Sequence, residues 1–304
     1  MVLCWPRMDR PAFLLDFREW GVVRITGPDA REFLQGVGTQ EVAALRGDAA
    51  LPTLFLTEKG RPVALAWAVL QNDGAGAILF VEPGGRDSLI PHLDRLRVME
   101  EVALTGPQGM PRLYGVAGRD RDSVAREWAA TLPGSEVFGA DPVSFLLLPP
   151  GAERPGSVAN VVASAMTPEA AEAWRIAVGI PRAGVDFDMD RIATELSLPE
   201  AISLTKGCFV GQEVVARTTN RGAVRRRRIG FHYPRQAGVL PRGTELWVGG
   251  GSSGFVTSTA LEPGTGRGLG MGYLSTEAPQ GPGEVAAIQG TVMTHLEVAP
   301  WPLL

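Results

Sequence analysis

Cysteine is nearly missing from this sequence: Cys4 and Cys208 are the only two in 304 residues. An iron–sulfur cluster takes four thiolates as a rule, and a structural zinc site three or four Cys/His ligands at short spacing. Here the cysteines are remote, and His92, His232 and His295 are scattered. One chain cannot ligate such a cluster by itself, and no metal site is expected. Two cysteines also make no disulfide framework, which fits a reducing cytoplasm. Any part in metal chemistry must be indirect or shared with a partner.

Long apolar runs are absent too. The longest, VALAWAVL at 63–70, falls far short of the roughly 20 residues a spanning helix needs. The stretch MVLCWPRMDRPAFLLDF has no continuous apolar core behind a basic start, so it does not read as a signal peptide. Positive charge is not in excess: the net charge of −4 argues against wholesale nucleic-acid binding. The G-x-S-x-G elbow and the G-x-x-x-x-G-K-[ST] loop are missing, and with them the commonest hydrolase and NTPase signatures.

What remains is an ordinary globular composition, 45% hydrophobic and 20% charged, on a chain long enough for two domains or one elaborated domain. Short runs rich in branched and aromatic residues predict strands at 22–26, 53–57, 77–81, 144–148, 245–248 and 254–259. TEKGR at 57–61 reads as a hairpin turn, with Gly60 at positive φ. Gly27-Pro28-Asp29 opens a helix with Pro28 at its first position, carrying Phe33 and Leu34 on one face. The best-marked helix is TPEAAEAWRIAVG, capped by Thr167, with Pro168 in its first turn and Gly179 ending it. Beyond about residue 226 helical signals cease and strands alternate with Gly/Pro turns, the pattern of a small barrel or sandwich. A boundary near 222–228 divides a mixed α+β region, 1–225, from an all-β region, 226–304.

Two apparent motifs have plainer readings. Gly249, Gly251 and Gly254 spell G-x-G-x-x-G but precede a strand, so a hairpin turn is expected rather than a dinucleotide site. Asp186, Asp188 and Asp190 alternate as in a calcium loop, yet the glycine and distant glutamate of that pattern are replaced by Arg191 and Ser197; a solvated acidic loop is expected. Arg217, Arg221 and Arg225 to Arg228 put six cations within twelve residues. They are either a solvated strand entry or an anion-binding lip, because guanidinium pairs bidentately with carboxylate or phosphate.

The segment KGCFVGQE, 206–213, holds one of only two lysines and one of only two cysteines. Cys208 is either a buried structural thiol or one activated by neighbouring Lys206 or a helix N-terminus. This segment resembles the K-G-C-[FY]-x-G-Q-E signature of the YgfZ family, folate-binding proteins related to the glycine cleavage T-protein. GVVRITGPDAREFLQGVGTQEV, EKGR, AWRIAVGIPRAGVDF and GFVTSTALEPGTGRGLGMGYL resemble further stretches of that family, and the similarity is weakest between about 105 and 165.

The resemblance implies an α+β fold: aminomethyltransferase-like folate-binding lobes, interleaved in sequence, around a central channel, with a C-terminal all-β barrel. It implies tetrahydrofolate or a derivative as cofactor. As partners it implies iron–sulfur enzymes or their assembly proteins, including a tRNA-modifying enzyme. Carried over by position, Cys208 and Lys206 are the candidate reactive pair, presented toward a folate cavity. Gln212, Glu213, Glu195, Arg175 and Arg217 are the candidate cofactor contacts. Two departures qualify this. Ala177 stands where T-proteins read a pterin-contacting glutamate, leaving Glu195 as another acid for that task. The paired aspartates of T-proteins are absent from 58–80, which holds only Asp73. Three readings follow: a folate-binding accessory factor for iron–sulfur enzymes, a tetrahydrofolate-dependent one-carbon transferase, or an interaction module without ligand.

Overall fold

The structure is a computed structural model and describes residues 12–45, 47–71, 76–106, 112–152, 166–222, 224–278 and 285–303. Cys4 and Asp73 lie outside the described residues. The first strand, β1 (Phe13–Asp16), is followed by β2 (Gly21–Thr26), helix α1 (Ala30–Val37), β3 (Leu51–Leu56), β4 (Pro62–Leu70), β5 (Gly76–Val81), α2 (Arg86–Leu96) and β6 (Ala103–Thr105). Then come β7 (Arg112–Ala117), α3 (Arg121–Thr131), β8 (Glu136–Phe138), β9 (Val143–Leu148), α4 (Pro168–Val178) and α5 (Gln212–Arg221). The C-terminal part is all strand: β10 (Arg226–Tyr233), β11 (Glu245–Val248), β12 (Gly251–Leu261), β13 (Gly268–Ser275), β14 (Val285–Gln289) and β15 (Val292–Ala299).

These make two open sheets and a barrel. The five-stranded sheet runs β3-β4-β5-β2-β6, the four-stranded one β1-β7-β9-β8, and the last six strands close in the order β10-β13-β12-β11-β14-β15. Strand β1 thus leaves its neighbour in sequence and pairs antiparallel with β7, Phe13 opposite Ala117. One face of each open sheet is turned into a shared core. Trp67, Phe80 and Leu65 from the first meet Phe145, Leu147 and Leu113 from the second, with Phe80 stacked on Phe145 at 4.5 Å. The same cluster takes in Trp174 and Ile176 of α4 and the outward residues Ala260, Leu269 and Met271 of the barrel. Apolar burial is therefore continuous from both sheets through α4 into the barrel wall, which fixes the three parts against one another.

Local signals place most elements. The hairpin at 57–61 has Gly60 at φ 68°, and the Gly249-Gly250 pair, at φ 60° and 85°, turns β11 into β12, so GGGSSG is a hairpin turn. Helix α4 has its Thr167 cap, whose hydroxyl accepts from the Ala170 N–H, and ends on Gly179 at φ 81°. Helix α1 begins two residues later than expected: Asp29 is its N-cap and Pro28 lies outside. Asp29 serves a different donor, accepting from the Glu101 N–H, and so ties the turn before α1 to the approach of β6. Among the described residues no helix is long and apolar enough to cross a membrane.

Candidate functional site

The segment 203–213 is a crossing point of three chain stretches. Ser203 N–H donates to Thr39 O, the Thr39 hydroxyl donates to Ala201 O at 2.6 Å, and Val210 N–H donates to Gly36 O. The signature is thereby laid across the end of α1. On its other side Gly211, at φ 82°, approaches the 57–61 hairpin so closely that a Cβ would stand 2.7 Å from Thr57 O and 3.1 Å from Gly60 Cα. Gly60 is closed off in turn by Val214 of α5. The two glycines permit two backbones to pass where side chains would not fit.

Lys206 is buried, and its ammonium donates to three carbonyls: Gln35 O at 2.6 Å, Gly38 O at 2.5 Å and Gln40 O at 2.9 Å. The ammonium also lies over the Phe209 ring, with Nζ 5.4 Å from the centroid. An ammonium has three donors, so none is left for a thiolate at Cys208. Burial pushes the Lys206 pKa down to about 8, which still leaves it charged at pH 7. It acts as a cation at the negative end of α1, a correction to its expected role as electrostatic partner of Cys208. Cys208 itself is exposed, not a buried structural thiol. We expect Lys206→Met to lower unfolding free energy by about 2–4 kcal/mol, because three buried or half-buried carbonyls lose their donor. Cys208→Ser should stay within about 0.5 kcal/mol, and urea denaturation of both variants distinguishes them.

The other candidate contacts fall in different places. Gln212 accepts from the Phe209 N–H through Oε1 at 3.2 Å, holding the turn before α5. Glu213 is exposed beside it, and both line an open hollow of about 530 Å³ with Glu58, Leu96 and Phe209. Arg217 is exposed on α5. Glu195 turns back on its own chain, accepting from Ile192 N–H at 3.5 Å and facing Arg191 at 3.8 Å. Ala177 is fully buried, and its carbonyl accepts from Leu303 N–H.

Arg175 is the most constrained of them. Its Nε and Nη2 pair with both oxygens of Glu172 at 2.8 and 2.6 Å. Nη1 donates to Asp186 Oδ2 and Ile180 O, both at 2.6 Å, and Nη2 also to Ser258 Oγ at 2.9 Å. All five N–H groups are engaged, so Arg175 has no donor for a cofactor. Asp186, in turn, accepts from Thr257 and Ser258 of β12 at 2.7 and 2.6 Å. Burial works against its carboxylate, but Arg175 together with the two hydroxyls and the Arg182 N–H outweighs it and holds the pKa below the usual range. The acidic loop is therefore solvated only at Asp188 and Asp190; Asp186 is a buried link between α4 and the barrel.

Sequence reasoning missed the feature best shaped for a ligand. Between β1, the 17–20 turn and α4 lies a cavity of about 640 Å³. Phe17 and Trp20 line it, stacked at 4.3 Å, along with Trp174 and Leu15. Asp16, Arg18, Glu19, Glu172 and Arg182 supply its polar lining, and Arg175, its donors all committed, is the one expected cofactor contact that lies on its wall. A flat aromatic ring system fits such walls, and the two arginines suit the carboxylates of an acidic tail. The signal was present in LDFREW, 15–20, where aromatics flank a run of charges. Neither Cys208 nor Lys206 lines this cavity.

No protein-family model matches the chain. It is 27% identical over 296 residues to an aminomethyltransferase of Rubrobacter xylanophilus, covering 89% of this chain and 78% of that one. It is 27% identical over 234 residues to the tRNA-modifying protein YgfZ of Yersinia enterocolitica, covering 71% and 69%, and 28% identical to that of Cronobacter sakazakii, covering 71% and 70%. The chain is a relative of the YgfZ proteins and the aminomethyltransferases. The crystal structure of glycine cleavage system aminomethyltransferase T from Bartonella henselae superposes with a TM-score of 0.80 over 98% of this chain and 87% of that one, at 19% identity. The fold is thus aminomethyltransferase-like, mixed α and β with a closed six-stranded C-terminal barrel.

Proposed function

We propose that this chain is a folate-binding accessory protein for enzymes that carry iron–sulfur clusters, tRNA-modifying ones among them, acting in the cytoplasm. The cavity of about 640 Å³ carries this reading: its stacked Phe17 and Trp20 suit a pterin, and Arg18 and Arg182 suit the carboxylates of the glutamate tail. The YgfZ relatives and the aminomethyltransferase-like fold support a folate-related role in tRNA modification. In this reading the service to client enzymes runs through folate and through contacts with partners. In this reading Cys208, exposed on the signature turn, is the residue offered to those partners.

Calorimetric titration with tetrahydrofolate tests the cavity. Saturable binding is expected, and Ala171→Trp, which fills the cavity from the surface of α4, should weaken it by about tenfold or more. Absence of saturable binding, or binding that Ala171→Trp leaves unchanged, would remove the cavity from the account and leave an interaction module.

A further inference from the structure

A third pocket, about 500 Å³, lies where the C-terminal ends of α4 and the 193–196 turn meet strand β10 of the barrel. Arg227, Arg228, Ser197 and Glu200 line it among apolar walls that include Ile229, Val298 and Trp301. It shares no lining residue with the cavity of about 640 Å³.

Arg228 is the reason to look here. It is 3% exposed, as deep as Arg175, yet its partners differ in kind. Nε donates to Leu196 O at 2.7 Å, Nη1 to Gly179 O at 2.8 Å and towards Met271 Sδ at 3.2 Å, and the guanidinium lies 4.1 Å from the Trp301 ring centroid. None of these acceptors is Nη2's. Among the described residues no carboxylate comes within ion-pair distance of Arg228, whereas Arg175 has two. Burial lowers the Arg228 pKa only to about 10, so it remains a cation at neutral pH. Helix-end carbonyls offset part of that charge, but a buried cation without a counter-ion is costly. A single charge-assisted partner in the adjoining pocket would offset the rest.

We propose that this pocket binds a small organic carboxylate, the acid group on Arg228 and a compact apolar body against Val298, Pro300 and Trp301. The apolar walls set the class: a bare inorganic anion would pair with the guanidinium but leave those walls without contact. This site stands independently of the folate reading.

Benzoate is the probe, compared with benzamide and with inorganic phosphate, by calorimetric titration of the whole protein. Saturable benzoate binding is expected, with benzamide weaker by about tenfold or more, since a hydrogen bond to a charged group is worth roughly 1.5–3 kcal/mol. Arg228→Gln should lose the preference for benzoate over benzamide. Because Arg228 also holds two chain ends, that variant can fail to fold; Val298→Trp fills the pocket from the partly exposed strand β15 and should abolish benzoate binding while leaving the thermal midpoint unchanged. No saturable benzoate binding would overturn the proposal, as would equal affinity for benzamide, phosphate binding as tight as benzoate, or binding indifferent to Val298→Trp.

Discussion

Replacing Arg175 by methionine is expected to destabilise the protein by about 3–5 kcal/mol, the cost of leaving a buried ion without its partner. The methionine fills much of the same volume, so the loss falls mainly on Asp186, which would keep its two hydroxyl donors but lose its counter-charge. The sign of the pH dependence follows from that. In the native protein Asp186 sits below its ordinary pKa, so the pair stabilises above that ordinary value and fades as pH falls through the folded one. Without Arg175, burial is opposed only by the two hydroxyls and the Arg182 N–H, so the Asp186 pKa moves up from its native position and the ionised carboxylate costs the variant stability as pH rises. The deficit of Arg175→Met should therefore be larger at pH 8 than at pH 5. Adding Asp186→Leu should cost less than the sum of the two single changes, by roughly 1–3 kcal/mol of coupling. Urea denaturation of the four proteins at the two pH values measures both. Strict additivity would mean that the pair is not a unit.

The second large effect concerns Glu82, buried just after β5. Its Oε2 accepts from Gly84 N–H at 2.8 Å and from Ala183 N–H at 3.3 Å, so it joins the turn before α2 to the loop after α4. Oε1 is buried without a partner. Burial raises the pKa to about 7, against the pull of these backbone N–H groups and of Arg182. The folded pKa lies above the unfolded one, so the folded state holds the proton more tightly. Stability then falls as pH rises from about 4.5 through about 7. A difference of that size corresponds to about 3 kcal/mol. Glu82→Gln keeps the accepting oxygen and removes the charge. It is expected to be more stable than the parent by about 3 kcal/mol at pH 8 and to match it near pH 4.5. A constant offset across that range would show that Glu82 does not titrate in it.

These two sites also show where the sequence was readable. Strands at 22–26, 77–81 and 144–148, the caps of α4 and the GGGSSG turn depend on neighbours within a few residues, and each stands as read. The roles of single polar residues depend on partners far along the chain. Lys206 reaches carbonyls 166–171 residues away, and Asp186 meets hydroxyls 71 and 72 residues on. No local pattern encodes such pairs. The arginine run shows the same limit: Arg226 and Arg228 share one face of β10, yet Arg226 is exposed to solvent while Arg228 disappears against the end of α4. The signature KGCFVGQE was legible as a match. That it serves chiefly as a splice between α1 and the 57–61 hairpin, with only Cys208, Gly207 and Glu213 left to the outside, required the fold.

The pairing of β1 with β7 sets an order of events during synthesis. Strands β2 to β5, with α1 packed on their outer face, are complete by Val81, and β6 closes that sheet at Thr105. The residues of β1 emerge before all of them but wait about a hundred positions for Ala117, and β9 arrives later still. Closing so long a loop is slow relative to hairpin formation. Strand β1 should therefore be among the later ones to find its place, and until then Leu14 and Leu15, fully buried in the finished protein, remain open to chaperones.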